Sequence, residues 1–450
     1  MPDLGGTIAA EATPPGRGAV RVVRITGPLA GPFLRKHFHP VGPPPSESAR
    51  RLCLGELVRE DGRVVDRALA VLFVGPDSLT GEDVAEIQVH GSPGVVRACL
   101  DLCFRFGIRQ ARPGEFLWRA VILDKMSLSE AEAVDALVSA DTEALALRAA
   151  SALGGRLSGR LSELSARVLD LRAAWEARLD FPEDVGEMAS TKEEGELEGL
   201  AAGLAALARE GEIGARMARG WSVALVGPPN SGKSSLFNRL LCRERALVTP
   251  HPGTTRDVLE ETLEIGGLPL IVRDTAGVRV AEGEAEGLGV ERGLEAAAAS
   301  DGTLLVFDGS RGWGEDAAAV LARLERPPLW TVANKCDLPP GAPVCPGALS
   351  VSALTGEGME ALVEALRAWM GEVSPAGGEI PPAGERQARA VARAAAALKE
   401  ALLGHRAGQG LEITLSALSA ADRSLREAIS GEASDEELYE RIFSRFCIGK

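Results

Sequence analysis

The feature that most constrains the fold is a glycine-rich loop at 227–234, which reads Gly-Pro-Pro-Asn-Ser-Gly-Lys-Ser. It lies between the short apolar run Val223–Val226 and a helical segment at Ser235–Leu241, which we interpret as a buried strand followed by a helix. This order matches the pattern G-x-x-x-x-G-K-[ST], whose backbone amides and lysine hold phosphate groups. The sequence therefore predicts a phosphate-binding unit in which Lys233 contacts the β and γ phosphates and Ser234 ligates Mg²⁺.

Around this loop, residues 218–372 alternate short apolar runs with helical segments such as Met359–Met370, which is the pattern of an α/β domain. The predicted buried strands are Val223–Val226, Leu270–Arg273, Leu304–Phe307, Leu329–Val332 and Leu349–Val351. After the second strand, Asp274-Thr275-Ala276-Gly277 supplies a carboxylate for the Mg²⁺ water shell and a glycine amide for the γ phosphate. Gly253-Thr254-Thr255-Arg256-Asp257 supplies a candidate switch threonine.

A second motif, Asn334-Lys335-Cys336-Asp337, indicates which base is bound. The Asp337 carboxylate can accept hydrogen bonds from both N1–H and the exocyclic amine of guanine. Adenine lacks that pair of donors, and a buried carboxylate left without partners is costly enough to reject it. Ser352-Ala353-Leu354 can form a loop that lies behind the guanine base. We therefore expect a guanine-nucleotide site and GTP hydrolysis.

Two positions in this domain leave alternatives open. Val278 stands where many GTPases place a glutamine that orients the attacking water, so the catalytic group must come from elsewhere. Four glutamates follow it and are either candidates or a solvated acidic run: Glu282, Glu284, Glu286 and Glu291. Asn230, within the phosphate loop, could coordinate a monovalent cation beside the β and γ phosphates, or could form a loop-stabilising Asx turn.

The length of 450 residues suggests about three domains. Residues 1–118 have an α+β pattern, with a helix expected from Pro93 to Phe106 and strands at Ala19–Ile25, Ala68–Val74 and Val84–His90. Residues 119–217 are helical with a break at Asp180–Ala189, and residues 373–450 are helical after a linker at Gly371–Glu385. We expect one all-α domain, built from these two helical parts, into which the α/β domain at 218–372 is inserted.

Composition limits the partners. The net charge of −15 argues against broad, unassisted binding to a phosphate backbone, although a local basic patch or a second subunit could bring nucleic acid in. No apolar run is long enough to span a membrane, and the start has no targeting pattern. Seven scattered cysteines favour a reducing cytoplasm over a disulfide framework. Cys99 and Cys103, four apart on a predicted helix, are expected in the core rather than at a metal.

Motifs along the whole chain resemble those of the MnmE (TrmE) family of tRNA-modification GTPases. They are the nucleotide motifs, Ala12-Thr13-Pro14-Pro15-Gly16-Arg17-Gly18, Thr80-Gly81-Glu82-Asp83, Ala111-Arg112-Pro113-Gly114-Glu115-Phe116, Gly253–Asp257 and Cys447-Ile448-Gly449-Lys450. The resemblance implies an N-terminal domain that dimerises and binds a tetrahydrofolate derivative, the 5,10-methylene or 5-formyl form. On the family pattern, the folate contacts are Arg24, Glu86, Lys125 and Lys450.

The resemblance also implies that the G domains dimerise around K⁺ and thereby activate hydrolysis. K⁺ is then held by Asn230, Thr249, His251 and Thr254, Thr255 joins Ser234 on Mg²⁺, and Glu286 positions the water. The expected catalytic residues are therefore Lys233, Glu286 and Cys447. The expected nucleotide contacts are Asn230, Ser231, Gly232, Lys233, Ser234, Ser235, Thr249, Thr254, Thr255, Asp274, Thr275, Ala276, Gly277, Asn334, Lys335, Asp337, Ser352, Ala353 and Leu354.

The family implied by the resemblance works as a homodimer with an FAD-dependent partner subunit, in a heterotetramer. The pair adds a carboxymethylaminomethyl-type group at C5 of the wobble uridine of certain tRNAs. Cys447 is then either a buried structural thiol or a thiolate nucleophile near the terminal lysine. Two other interpretations are a GTP-dependent ribosome-assembly factor, disfavoured because no basic appendage is evident, and an iron–sulfur maturation GTPase, disfavoured because only Cys447 lies near the C-terminus.

Overall fold

The computed structural model describes residues 5–45, 50–180, 187–243, 245–247, 259–274, 285–343, 345–372 and 384–430, and also Phe443, Phe446 and Gly449. The chain divides into two compact units. The first contains Met1–Asp135, Leu161–Ser165 and Asp422–Lys450, and the second contains Ala136–Arg160 and Ala166–Ala421. No helix in the described ranges is both long enough and apolar enough to cross a membrane.

The first unit is built on a seven-stranded sheet in the order β3-β4-β5-β6-β2-β1-β7. All neighbouring strands are antiparallel except β1 and β7. Its strands are β1 (Ile8–Glu11), β2 (Val20–Thr26), β3 (Phe38–Pro40), β4 (Cys53–Val58), β5 (Val64–Phe73), β6 (Val84–His90) and β7 (Arg109–Gln110). Its helices are α1 (Ala30–His37), α2 (Pro93–Arg105), α3 (Glu115–Ile122) and most of α4 (Leu128–Val138).

Alternation of buried and exposed residues explains the central strands of this sheet. In β2, for example, the buried Val23 and Ile25 alternate with the half-buried Val22 and Arg24, as expected of a strand with one face on the core. Helices α1 and α2 cover that face and contribute Phe33, Cys99 and Cys103 to the core. The prediction that both cysteines pack in the core is therefore confirmed.

The second unit holds long helices and a second seven-stranded sheet, in the order β14-β13-β12-β8-β11-β10-β9. Its strands are β8 (Trp221–Val226), β9 (Arg245–Leu247), β10 (Leu259–Ile265), β11 (Leu268–Asp274), β12 (Gly302–Asp308), β13 (Trp330–Asn334) and β14 (Leu349–Ser350). Its helices are α5 (Glu143–Ala152), α7 (Glu187–Arg219), α8 (Lys233–Arg243), α9 (Ala285–Ala298), α10 (Glu315–Arg323), α11 (Met359–Glu372) and α12 (Glu385–Arg406). Helices α6 (Arg156–Asp180) and α13 (Leu411–Ser430) contribute residues to both units.

Five neighbouring strands of this sheet pair in parallel: β14, β13, β12, β8 and β11. They are mostly buried, as their apolar sequences predict. Among the helices, α7 packs along α12. Trp175 of α6 stacks on His405 of α12 with ring centroids 4.9 Å apart. Helices from both predicted helical stretches, 119–217 and 373–450, therefore lie together, while the domain boundaries themselves remain predictions.

The fold class predicted from sequence, an α+β N-terminal domain with an α-helical domain and an α/β domain, is confirmed, but several strands were not predicted individually. Four of the seven strands in the first sheet, β1, β3, β4 and β7, were not predicted, because they are short or carry polar residues. In the second sheet, the antiparallel strands β10 and β9 were also missed. Helix α11 extends two residues beyond the predicted end at Met370, into the predicted linker, and residues 407–410 divide α12 from α13.

Candidate nucleotide-binding site

The phosphate loop connects β8 to α8, as its sequence context predicts. Two of its glycines have no room for a side chain. Gly227 has φ +155°, and a Cβ there would lie 2.0 Å from the Val306 carbonyl oxygen of β12. Gly232 has φ +87°, and a Cβ there would lie 2.2 Å from Nδ2 of Asn334. Glycine at both positions lets the loop lie directly against β12 and the end of β13.

Lys233, the first residue of α8, points back into this loop. Its Nζ donates hydrogen bonds to the carbonyl oxygens of Gly227 and Pro228, each at 2.9 Å. Burial lowers the pKa of the Lys233 amine, while the nearby Asp274 carboxylate opposes that shift. Ser231 is 1% exposed, and its hydroxyl has no hydrogen-bond partner among the described residues. A cation and an unsatisfied buried hydroxyl beside loop amides form a site that fits an anionic ligand such as a phosphate.

Asn334 joins the phosphate loop to the loop expected behind the base. Its Nδ2 donates to the Ser231 carbonyl oxygen at 3.0 Å. Its Oδ1 accepts from the backbone amides of Lys335 at 2.9 Å and Ala353 at 3.0 Å. The side chain is 1% exposed and uses both ends of its amide, so it fixes the distance between the two loops.

Asp337 lies three residues further on and is oriented by the same second loop. Its Oδ1 accepts a hydrogen bond of 2.5 Å from the Ser352 hydroxyl, which itself accepts from the Thr355 amide at 3.1 Å. This contact fixes the side-chain orientation of Asp337. A carboxylate has further lone pairs for the two guanine donors. Leu354 is 77% exposed, so the tip of the second loop is not held by burial.

Asp308, at the end of β12, is a site residue that the sequence reasoning missed. Its Oδ2 accepts from Lys335 Nζ at 2.6 Å, and its Oδ1 accepts from Ser310 Oγ at 2.6 Å. Lys335 Nζ also donates to the Asn230 carbonyl oxygen at 2.9 Å. Burial acts to raise the pKa of the Asp308 carboxyl, but the hydrogen bonds from Lys335 and Ser310 outweigh it and lower that pKa. The position was detectable, because carboxyl ends of adjacent parallel strands meet at one sheet edge.

Of the other predicted residues, three are described by the structure and the rest lie wholly or partly outside the described residues. Ser234 and Ser235 lie on the first turn of α8, and Asn230 is exposed with φ +61°. The backbone of Glu286 lies in α9, but its side chain is outside the described part of the chain, as is the whole of the segment that follows Asp274 up to residue 284. Outside it too are Thr249, His251, Thr254, Thr255, Thr275, Ala276, Gly277, Cys447 and Lys450. Within the described residues no cluster of three metal-binding side chains occurs.

The first unit holds a second group of predicted residues. Arg24 and Glu86 face each other across β2 and β6, and Arg24 Nε donates to Glu86 Oε1 at 2.8 Å. Arg24 Nη1 also donates to the Gly449 carbonyl oxygen at 3.3 Å, and its guanidinium lies 5.7 Å from the centroid of the Phe116 ring. The structure therefore places Gly449, the one described residue of the C-terminal motif, next to this ion pair. Lys125 is exposed and its stem lies on Gly81, where a Cβ would be 3.0 Å from Lys125 Cγ.

A buried charge network beside this group was also missed. Arg119 is fully buried, and it donates to Glu82 at 2.9 Å, to Glu115 at 3.3 Å and to the Gly6 carbonyl oxygen at 2.7 Å. Burial opposes ionisation of Glu115, but hydrogen bonds from Arg109 and the Arg112 amide prevail and lower the pKa of its carboxyl. The network explains why Thr80-Gly81-Glu82-Asp83 and the start of α3 carry charged residues.

Two family models and a large set of known proteins match this chain. Residues 128–447 match the family model described as the MnmE helical domain, and residues 7–125 match the one described as the GTP-binding protein TrmE N-terminus. A protein named tRNA modification GTPase MnmE from Synechococcus sp. (strain CC9605) is 42% identical over 450 residues, with 99% of each chain covered. The protein of the same name from Thermus thermophilus is 41% identical over 455 residues, with 100% of both covered. A solved structure of an Aquifex aeolicus Era variant bound to GDP.AlF4⁻ is 25% identical, covers 39% of this chain and 66% of that chain, and has a TM-score of 0.27.

Proposed function

The chain belongs to the MnmE family and is a GTPase, and from that premise we propose that it hydrolyses GTP as a subunit of a tRNA-modifying complex. The observation that carries the proposal is similarity over the whole chain, at about 40% identity, to relatives named for tRNA modification. The described half of the guanine site supports the GTPase activity. Asn334 accepts a hydrogen bond from the Ala353 amide and Asp337 accepts one from the Ser352 hydroxyl, so both motif residues are held by the loop expected behind the base.

For hydrolysis, we propose that Lys233 binds the β and γ phosphates and that Ser234 and Thr255 hold Mg²⁺. The buried hydroxyl of Ser231 and the absence of room for a Cβ at Gly232 support phosphate binding in this loop. Mg²⁺ supplies positive charge beside the phosphate oxygens. The proposed role of Glu286 is to accept a hydrogen bond from the attacking water and so orient it, since Val278 cannot.

We further propose that two G domains dimerise with K⁺ bound beside the phosphates. The proposed K⁺ ligands are Asn230, Thr249, His251 and Thr254. Asn230 is exposed on the phosphate loop, and its backbone carbonyl is engaged by Lys335 while its side chain stays available. A cation at this position would provide charge where other GTPases use an arginine.

The group around Arg24 and Glu86 is the proposed tetrahydrofolate site, with Lys125 and Lys450 as further contacts. Both side chains of the ion pair are about one-fifth exposed, so they are reachable from one side. Glu86 uses only Oε1 toward Arg24, which leaves Oε2 to accept from pterin donors, and a guanidinium suits the glutamate carboxylates of folate. Gly449 lies against this pair and is two residues after Cys447 in the chain, which supports a role for that thiol in the same reaction.

The proposed product is a carboxymethylaminomethyl-type group at C5 of the wobble uridine, with folate as one-carbon donor. Such chemistry needs a redox cofactor, and we propose that an FAD-dependent partner subunit supplies it in a heterotetramer built on a homodimer of this chain. With a net charge of −15, the chain needs that partner or a local basic patch to hold tRNA. The scattered cysteines, all free among those described, fit a reducing cytoplasm.

The proposal is tested by nucleoside analysis of tRNA from a deletion strain. We expect the modified wobble uridine to disappear on deletion and to return when the wild-type gene is restored. A Cys447→Ser copy should not restore it if the thiol takes part in the reaction. Unchanged wobble uridines in the deletion strain would reject the proposed function, whatever the rate of GTP hydrolysis in vitro.

A further inference from the structure

One arginine connects the helix of the phosphate loop to the loop behind the base. Arg239 lies on α8, which begins at Lys233, and is half-buried. Its Nε donates to the carbonyl oxygen of Ala353 at 2.7 Å, and its Nη2 donates to the carbonyl oxygen of Leu354. A guanidinium with two donors in a rigid plane fixes two successive carbonyls better than a flexible ammonium could.

The loop that Arg239 holds has little else to anchor its tip. Leu354 is 77% exposed, so apolar burial does not hold that residue in place. The residues before the tip are held by burial, because Ser352 is fully buried and Ala353 packs in the hydrophobic core of the second unit. The Ser352 amide donates to the Glu357 carbonyl oxygen at 2.8 Å, and the Ala353 amide donates to Asn334 Oδ1 at 3.0 Å.

The position of this loop determines how the base-reading carboxylate is presented. Ser352 donates to Asp337 at 2.5 Å, and Ser352 is adjacent to the carbonyl that Arg239 binds. We propose that Arg239 is a positioning residue for guanine recognition, which holds the 352–354 loop so that Asp337 faces the N1–H and exocyclic amine of the base. The proposal rests on guanine binding and is independent of the tRNA chemistry.

The test compares two nucleotides that differ in one of the donors read by Asp337. IDP lacks the exocyclic amine of GDP, so the ratio of the dissociation constants of IDP and GDP measures how well that contact is made. Both are measured on the full chain by displacement of a fluorescent GDP analogue. We expect Arg239→Ala to weaken GDP binding about tenfold and IDP binding much less, because a misplaced carboxylate loses a charged hydrogen bond.

The matched control is Arg243→Ala, which removes another arginine from the same helix. Arg243 is exposed and pairs with Glu360 of α11 at 3.8 Å, which lies outside the 352–354 loop. We expect it to leave the IDP-to-GDP ratio within about twofold of wild type, because an exposed ion pair contributes little.

A purely structural role for Arg239 predicts a different result. In that case Arg239→Ala would lower thermal stability, or weaken GDP and IDP by the same factor, and the ratio would stay at its wild-type value. That outcome overturns the proposal. If the alanine variant does not fold, Arg239→Lys replaces it: a single ammonium, without the rigid plane of the guanidinium, should give an intermediate ratio. An unchanged ratio again overturns the proposal.

Discussion

Asp308 offers a sharp test of the nucleotide site, because it touches Lys335 and was not expected from the sequence. Asp308→Asn keeps the shape of the side chain and removes its charge. The wild-type contact from Lys335 Nζ is 2.6 Å long, with the two side chains 34% and 13% exposed. A hydrogen bond between charged groups contributes about 1.5–3 kcal/mol. Because Lys335 is about one-third exposed, solvent screening reduces this to roughly 1–1.5 kcal/mol.

If the contact with Asp308 is what holds Lys335 along the guanine base, losing it weakens GDP binding by this free energy. We expect GDP to bind about tenfold more weakly to Asp308→Asn, since 1.4 kcal/mol is a factor of ten. The assay is titration with fluorescent GDP in saturating Mg²⁺. Asp316→Asn is the matched control, because Asp316 is exposed on the first turn of α10.

The pH dependence of GDP binding is a second test of the contact between Asp308 and Lys335. The pKa of Asp308 is lowered, so its carboxylate contributes fully above the ordinary aspartate pKa and is lost only as the pH falls through the lowered value. Wild-type affinity should therefore not change between about pH 8 and 5.5 on account of Asp308. An Asp308→Asn variant with GDP affinity within twofold of wild type would refute the reasoning, because Lys335 would then be held without the ion pair.

Three further predictions concern the proposed cation, the proposed folate site and the buried charges. GTP turnover should be faster in K⁺ than in Na⁺, and Asn230→Ala should remove the difference; equal wild-type rates in the two salts would exclude the proposed K⁺ role. Glu86→Ala should weaken 5-formyltetrahydrofolate binding in calorimetry about tenfold. The control Glu56→Ala, on the exposed side of β4, should leave it unchanged. Equal folate affinity of Glu86→Ala and wild type would mean that the pocket is elsewhere. Glu115→Gln should lower the free energy of unfolding by about 2 kcal/mol at neutral pH, because the hydrogen bonds from Arg109 and Arg119 lose their charged acceptor. Because the pKa of Glu115 is lowered in the fold, this deficit should shrink as the pH falls through that value; a pH-independent deficit in urea unfolding would contradict it.

Local sequence pattern predicted the parts of the site that depend on neighbours in the chain. The phosphate loop, its strand and its helix follow from one short stretch, and Asn334 and Asp337 follow from another. The contact between Asp308 and Lys335 joins residues 27 apart, and that between Arg119 and Glu82 joins residues 37 apart. No local periodicity encodes such pairs, because they are fixed by which strands become neighbours.

One of the strands that were not predicted does have a recognisable sequence pattern. In β10, Leu263 and Ile265 are buried and alternate with polar residues, and Gly266 and Gly267 follow with positive φ. Alternation followed by two glycines predicts a hairpin, and β10 does pair antiparallel with β11. Continuous apolar runs are typical of buried parallel strands, and the half-exposed β10 has none. The short strand β7 has two residues, Arg109 and Gln110, and has no pattern to detect.

On the proposed function, the guanine site serves tRNA modification. Asp337→Asn tests it most directly, because an amide in place of the carboxylate cannot accept both guanine donors, while the rest of the chain is unchanged. In a strain whose only copy carries this variant, we expect mass spectrometry of tRNA nucleosides to show loss of the modified wobble uridine, with the purified variant folded but unable to bind GTP. Wild-type levels of the modified nucleoside, with GTP binding abolished, would contradict the account.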